Sequence, residues 1–417
     1  MKLLVAAIVA LVVAPTAGAA GWATFGSNVQ NIVDPGVLRT RAGSELVSFE
    51  SPAGNTISLS RNGGAARVLV ASDPIAGETR LVQQPSGAIQ LYFPNADGVA
   101  RLTSTDDGET WTGPIQTQSH DVGGVRAAAV RSDGTPLFTQ DGTGFVNVFQ
   151  GLDGETVHNV FAPCCGYAES LAVDSTGLAQ IAFWSNATGL ENFVYQTLDA
   201  TGATAAQSTP TGYAASATIP RDDRVPLAAD AAGNTFLGYS LGYPSSKQFV
   251  VATYRGGALA RKTTVATGAF GGADPHMALA VDGQSRLWAV WTQGGAAWAA
   301  RSRTHGQSFG AHVRIALPGS CYQLEALARA DGSVVAYANF GSTLASTRLL
   351  PGLTVRVQGR TVAVSDDGFP VAGATISGAG RTLHTNAGGR AGLAGVPRGA
   401  AMRVSKPGYA AAGFRLP

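Results

Sequence analysis

The feature that most constrains this chain is a repeat of turns. An apolar run, a turn of the Asp/Ser-x-Gly kind and a second apolar run recur at Leu81–Gly87, Ala127–Gly134, Leu171–Gly177, Leu227–Gly233, Leu279–Gly283 and Leu327–Gly332. By subtraction the closing glycines lie 47, 43, 56, 50 and 49 residues apart. That is the period of a four-stranded propeller blade, about 40–50 residues. A second glycine, at Gly108, Gly154, Gly202, Gly257 and Gly306, follows its partner by 21, 20, 25, 24 and 23 residues. Two turns per period, half a period apart, are what two hairpins per blade produce. A shorter copy, with Glu45-Leu-Val-Ser-Phe, Thr56-Ile-Ser-Leu-Ser and Arg67-Val-Leu-Val, precedes the six clear ones. The expected fold is therefore all-β, a six- or seven-bladed β-propeller; after Leu350-Pro351-Gly352 the pattern changes, and the alternating run Thr354-Val-Arg-Val-Gln-Gly-Arg-Thr-Val-Ala-Val adds a small β-sandwich to the expectation. A jelly roll or a pair of sandwiches fits the two-turn period less well.

Composition agrees and narrows the function classes. The 417 residues include 54 Gly, and only 13% are charged, against about 25% in an ordinary soluble domain. A coiled coil or helical bundle needs charged outer faces, so both are excluded. The net charge of +2 supplies no basic stripe for nucleic acid and no acidic tail. At the start, Met1-Lys2, an apolar run from Leu3 to Ala14 and the small-residue site Ala17-Gly18-Ala19 form the three parts of a secretory signal peptide. The run is too short to span a bilayer. Residues 1–20 are thus expected to be removed, and the mature chain to be secreted, without a membrane span and as a monomer.

The second turn of the first full repeat reads Ser104-Thr105-Asp106-Asp107-Gly108-Glu109-Thr110-Trp111. It matches Ser-x-Asp-x-Gly-x-Thr-Trp, the Asp box, in which Gly permits the tight turn and the Asp and Ser side chains satisfy its backbone. A degenerate copy, Ser302-Arg-Thr-His-Gly306-Gln-Ser-Phe309, and a fragment, Asp153-Gly154-Glu-Thr156, fall in register with the repeat. The chain thereby resembles the sialidase-like (Asp-box, BNR-repeat) β-propeller superfamily over residues 40–350. The resemblance implies boxes on blade turns away from a central site, and a superfamily of hydrolases, lyases and binding proteins. For a sialidase it also implies an Arg triad, an Asp acid/base and a Tyr–Glu pair. Arg39, in Val37-Leu38-Arg39-Thr40, is the nearest candidate for the first Arg, without the aromatic and Pro flanks of the family motif. Arg126, Arg224 and Arg314 are candidates to complete the triad. From about residue 353 to 417, runs such as Asp367-Gly368-Phe369-Pro370-Val371-Ala372-Gly373 and Lys406-Pro407-Gly408-Tyr409 resemble the carboxypeptidase regulatory-like β-sandwich, whose family role is structural or adhesive. The expected domains are 21–350 for the propeller and 353–417 for the sandwich.

Loops leading into the innermost strand of each blade should converge at one channel mouth. Aligning the repeats places Glu169 over Glu325, and the Cys164-Cys165-Gly166-Tyr167 loop over Cys321-Tyr322. Other repeats contribute His120, Asp121, Asp222, Asp223, Arg224, Asp274 and His276. Glu169, Glu325, Tyr322 and Arg39 are the catalytic candidates; Tyr167, Asp223, Arg224, Asp274, His276 and Arg126 are the ligand-binding candidates. Two carboxylates whose environments split their proton affinities could divide acid and base roles. Three cysteines in an exported chain cannot all pair. A vicinal Cys164–Cys165 disulfide needs no approach of distant blades, whereas a bridge from either to Cys321 ties two loops of the same face. No cofactor or metal is expected. The expected partner is a glycan or other extracellular ligand, bound by a secreted protein; an exo-acting, sialidase-like glycoside hydrolase is the alternative.

Overall fold

A computed structural model describes residues 21–417 apart from 28, 30–33, 52–54, 72–76, 120–123, 142–144, 162–165, 186–191, 209–216, 219–223, 243–246 and 271–274. The described residues form strands and turns and no helix. Sheet 1 comprises Gly36–Arg39, Glu45–Ser51, Thr56–Arg61 and Arg67–Ala71; sheet 2 comprises Arg80–Gln83, Ile89–Asn95, Gly98–Ser104 and Thr112–Gln116. Sheet 3 runs from Ala127–Val130 through Pro136–Asp141 and Val146–Gln150 to Thr156–Phe161. Sheet 4 runs from Gly166–Val173 through Ala179–Ser185 and Asn192–Leu198 to Thr204–Ser208. In sheet 5 the short segments Ala217–Thr218 and Leu227–Ala229 both pair with Asn234–Leu241, followed by Gln248–Arg255 and Ala258–Thr267. Sheet 6 holds Met277–Val281, Leu287–Gln293, Ala296–Ser302 and Val313–Ala316. Sheet 7 starts with Gln323–Ala328, Val334–Asn339 and Thr343–Leu349, and its outer strand is Ala23–Ser27 from the other end of the chain.

The first strands of the seven sheets neighbour one another in a closed cycle, sheet 7 returning to sheet 1. The apolar pattern explains the layering. Second strands lie between two neighbouring sheets and are buried on both faces, so Leu287–Trp291 is a continuous apolar run instead of an alternating one. Outer strands have no such cover; Thr112–Gln116 is exposed throughout.

Each inner hairpin is closed by the same bond. The N–H of Thr40, Gln84, Arg131, Asp174, Asp230, Asp282 or Arg329 donates to the carbonyl four residues on. The residue three after that donor adopts left-handed φ, and in six sheets it is Gly. In sheet 6 it is Ser285, at φ 57°, so the structural turn lies two residues beyond Gly283. Because the strands alternate in direction, both hairpins of a blade turn at the end opposite the loops that join blades.

The Ser104–Trp111 turn lies at that opposite end. Ser104 Oγ accepts the Gly108 N–H at 2.9 Å, Asp106 Oδ1 accepts the Thr110 N–H at 2.8 Å, and Trp111 Nε1 donates to the Gly108 carbonyl at 3.1 Å. The Thr110 hydroxyl and backbone bonds pull the Asp106 carboxyl down to about 2. The following Asp107 reaches sheet 1, pairing with Arg61 at 3.0 Å. Asp153 repeats that contact on Arg101 of sheet 2 at 2.5 Å, and His305 on Asp230 of sheet 5 at 2.7 Å. These three turns therefore staple sheets 2, 3 and 6 to the sheets before them. Gly108 has φ 84°, and a Cβ there would stand 3.0 Å from the Leu46 methyl groups. Gly108→Ala is expected to cost about 1–2 kcal/mol for the left-handed backbone alone, read as a lowered urea midpoint with an unchanged slope.

Residues 354–415 form two four-stranded sheets. One contains Thr354–Gln358, Thr361–Asp366, Phe369–Pro370 and Arg390–Gly392; the other contains Arg381–His384, Thr375–Gly378, Ala401–Ser405 and Ala412–Arg415. They share a core of Val362, Val364, Ile376, Leu393, Met402, Val404 and Phe414. This β-sandwich docks on sheet 6 through Arg301 and Asp366, whose side chains are 3% and 1% exposed.

Candidate functional site

The loops that join blades deliver their residues to the channel in register. Counting back six residues from each hairpin donor gives Asp34, Glu78, Val125, Ala168, Arg224, His276 and Gln323; counting back four gives Gly36, Arg80, Ala127, Ser170, Pro226, Ala278 and Glu325. The charged members condense into one network. Arg224 Nε lies 3.1 Å from Asp34 Oδ2 and 3.0 Å from Glu325 Oε1, and its Nη2 also donates to Glu325. Arg80 Nη2 donates to the same Asp34 oxygen at 2.8 Å, while its Nη1 donates to the Asp34 and Thr79 carbonyls. Arg80 Nε donates to the Arg126 carbonyl at 2.8 Å, and the Arg126 guanidinium pairs with Glu78.

Two carboxylates and two guanidinium groups thus share one buried site whose charges cancel. Isolated buried ions are costly, and the mutual hydrogen bonds are what make the site tenable. Burial pushes the Glu325 carboxyl up; Arg224 pulls it down, while Asp34 adds to the upward push. Burial weakens the hold of Arg80 on its proton, and the neighbouring Arg224 charge acts in the same sense. The network opens on a cavity of about 180 Å³. Asp34, Ser170, Arg224 and Glu325 supply its polar wall, and Val37, Leu227, Met277, Leu279, Leu324 and Leu327 its apolar wall. Guanidinium donors, carboxylate acceptors and an aliphatic surface in one small space suit a ligand that has hydroxyl groups and a hydrocarbon face.

Of the residues singled out from sequence, Glu325 and Arg224 meet directly at this network. Arg126 stands one step away, on Glu78. Glu169 is 1% exposed and belongs to Gly166–Val173, where the ladder slips between Tyr167 and Ser170. At that bulge Ala168 is buried with φ 61°, a sparsely populated conformation for a residue with a side chain. It is Ser170, and not Glu169, that lines the cavity. Tyr167 packs half-buried against the core opposite Trp184. His276 is held through its backbone N–H, which donates to Thr292 Oγ1 at 3.0 Å. Tyr322 is 41% exposed and its N–H donates to the Asn339 carbonyl.

Arg39 is not brought to this network. It lies at the other end of its strand, 3.7 Å from Glu45, which also receives both Nε and Nη2 of Arg329 across the junction of sheets 7 and 1. Asp223, Asp274, Cys164 and Cys165, with His120, Asp121 and Asp222, lie outside the described residues. The Sγ of Cys321 donates to the Gln323 carbonyl at 3.2 Å. Asp34, Arg80, Glu78 and Glu50 were not among the sequence candidates. The first three share the offset from the hairpin turn that picks out Arg224 and Glu325, which was the available signal.

Glu50 lies close enough to Glu78 for their charges to interact. It is fully buried, its Oε2 accepts the Gly77 N–H at 2.8 Å, and its Oε1 has no hydrogen-bond partner among the described residues. Burial pushes its carboxyl up to about 7, the Gly77 bond opposes this, and Glu78 reinforces it. A raised carboxyl favours the folded state while protonated, so its stabilising effect is complete below about 4.5, the ordinary value, and is lost as pH rises through 7. Glu50→Gln keeps the shape and the Gly77 acceptor. It is expected to stabilise the protein by on the order of 2 kcal/mol at pH 8 and to change little at pH 4; thermal melts at the two pH values check this.

No family model and no curated protein matches the sequence. Among solved structures, a streptogramin B lyase superposes with a TM-score of 0.52 at 17% identity, covering 78% of this chain and 96% of its own. A catalytically inactive virginiamycin B lyase from Staphylococcus aureus, solved with quinupristin, superposes with a TM-score of 0.52 at 12% identity, covering 78% of this chain and 97% of its own. At such identities the likeness speaks for architecture alone. Together with the closed cycle of sheets, it establishes a β-propeller.

Proposed function

We propose that the chain is an exported, sialidase-like propeller that binds a neutral, polyhydroxylated ligand, a single saccharide ring of a larger glycan, at the mouth of its channel. The observation that carries this reading is the Asp34–Arg224–Glu325 network beside the aliphatic wall. With Arg80 counted, its charges cancel, so it offers no surplus cation for a carboxylate substrate, while its oxygens and guanidinium N–H groups match ring hydroxyls. The cavity is below the usual 300–1,000 Å³ of a drug-sized pocket, which fits one ring better than an extended chain. The side-chain bonding of the Ser104–Trp111 turn supports the sialidase-like resemblance, and the apolar run after Met1 supports export. Residues 353–417 act in this reading as a carboxypeptidase regulatory-like accessory module.

The test is calorimetric titration with a panel of neutral and acidic monosaccharides and a glycan array. Binding of a neutral sugar, weakened about tenfold or more by the isosteric Glu325→Gln (about 1.4 kcal/mol per decade), is the expected result. Absence of saccharide binding by folded protein, or binding indifferent to that substitution, overturns it. One observation favours a second reading, an exo-acting glycoside hydrolase: the upward push on Glu325 is what a general acid requires. Turnover of a fluorogenic glycoside that Glu325→Gln abolishes would establish that reading in place of pure binding.

A further inference from the structure

Charge is distributed unevenly around the ring. From residue 231 to 273 the sequence has no Asp or Glu, yet it holds Lys247, Arg255, Arg261 and Lys262. This stretch therefore carries +4 on a chain whose net charge is +2, leaving −2 for everything else. It includes the last three strands of sheet 5. The outermost of them, Ala258–Thr267, has ten residues and is the longest strand among those described. Its residues Ala258 to Lys262 and Thr264 are exposed, including Leu259 at 41%. Among the described residues none of the four basic side chains is in an ion pair.

An outer strand leaves a row of N–H and C=O groups without a ladder partner, which is a template for one more strand. Other blades shorten or block this edge. Sheet 2 has Pro114, which lacks a donor, in its outer strand; the outer strand of sheet 6 has only four residues; that of sheet 7 is the irregular Ala23–Ser27. In sheet 5 two register shifts bracket a regular segment, with Arg261 opposite Thr253, Lys262 opposite Ala252, Thr263 opposite Val251 and Thr264 opposite Val250. Successive residues point to opposite faces, so Arg261 and Lys262 flank the free edge, one on each side. Thr263, on the face of Arg261, donates to the Gly306 carbonyl and anchors the segment on sheet 6.

We propose that the Arg261–Thr264 edge of sheet 5 is a docking strand for a short, extended acidic peptide segment of a partner protein. The peptide adds as a further strand, and two consecutive carboxylate residues meet Arg261 on one face and Lys262 on the other. A polyanionic saccharide would satisfy the charges but not the backbone groups, so the free edge favours a peptide.

The experiment uses the whole chain of residues 21–417 and three probes: a fluorescent Thr-Val-Glu-Glu-Val-Thr peptide, the same peptide N-methylated at alternate amides, and heparin. The expected result is saturable binding of the first peptide that weakens with salt. N-methylation should weaken it about tenfold or more by removing main-chain bonds. Arg261→Glu with Lys262→Glu should abolish it, with the circular dichroism spectrum and melting temperature retained to show that the fold is intact. The peptide should also slow amide exchange within 258–267. Equal binding of the N-methylated peptide, heparin binding with no peptide binding, or no binding of any probe would each overturn the proposal.

Discussion

Replacing Arg224 by Met is expected to destabilise the propeller by about 3–5 kcal/mol at pH 7, the range seen when one partner is removed from a buried ion pair. The guanidinium is the shared donor of Asp34 and Glu325, whose side chains are 3% and 12% exposed. Without it, both carboxylates compete for Arg80, and Glu325 is left near the negative Asp34. The loss should depend on pH in a defined direction. Stranding raises Glu325 further, so the variant is penalised only where that carboxyl ionises. The deficit should shrink as pH falls toward the ordinary carboxylate value and grow above neutrality. Pairing Arg224→Met with Glu325→Leu removes the charge together with its partner and should recover a large part of the loss, because a well-packed apolar pair replaces an ion pair at little cost. Urea unfolding of the two variants at pH 5 and pH 8 measures all three effects. Equal deficits at both pH values would show that packing, not charge, dominates this site.

The second large effect is expected at the junction of propeller and sandwich. Asp366→Ala leaves Arg301 buried, with the Gly332 carbonyl as its remaining acceptor besides the rings of Trp288 and Tyr409. A loss of about 3–5 kcal/mol follows from the same reasoning, concentrated at this interface. Calorimetry should therefore resolve two transitions where the parent shows one, and proteolysis should cut near Pro351-Gly352. The adjacent Asp367 explains why this junction is specific. The turn of sheet 6 has Thr304 where the turn of sheet 2 has Asp106, so it lacks its own carboxylate. Asp367, in a hairpin of the sandwich with φ 48°, supplies one: it accepts the Arg303 N–H at 2.7 Å, the Ser308 hydroxyl at 2.5 Å and the Thr304 hydroxyl at 3.2 Å. The sandwich completes a turn that the propeller sequence leaves unfinished.

Much of the architecture was legible because hairpins are local. A left-handed residue, a closing hydrogen bond and an apolar run on either side lie within a dozen residues, and their period declares the blade. Sheet 6 shows the limit. Gly283 looks like the turn residue, but Ser285 adopts the left-handed conformation, and the true spacing there moves by two residues. Sheet 1 shows another. Its first strand, Gly36–Arg39, is short and precedes the abbreviated repeat that starts at Glu45, so Asp34 carries no repeat signal although it occupies the position of Arg224.

The candidate site was legible only in part, for a different reason. Arg224 and Glu325 are 101 residues apart, and Asp34 is 190 residues from Arg224. Equal offsets from a turn say that such residues reach the same end of the channel. They do not say which pairs touch, because that depends on side-chain length and on which neighbour has already been claimed. Arg126 stands five residues before its hairpin donor and Arg224 six, and one is taken by Glu78 while the other bridges Asp34 and Glu325. Arg39 carries the same charge but emerges at the opposite end of a four-residue strand, and so joins Glu45 and Arg329 instead.

By itself, then, the sequence determined the all-β class, the period and the two hairpins per blade, since these rest on backbone conformations that neighbouring residues decide. Only the tertiary structure decided that Ala23–Ser27 is the segment that closes sheet 7, that the sandwich lends Asp367 to sheet 6, and that two carboxylates and two arginines are confined together beside a small cavity. Each of these joins residues far apart in sequence, and a buried charge is stable only if its partner arrives in three dimensions.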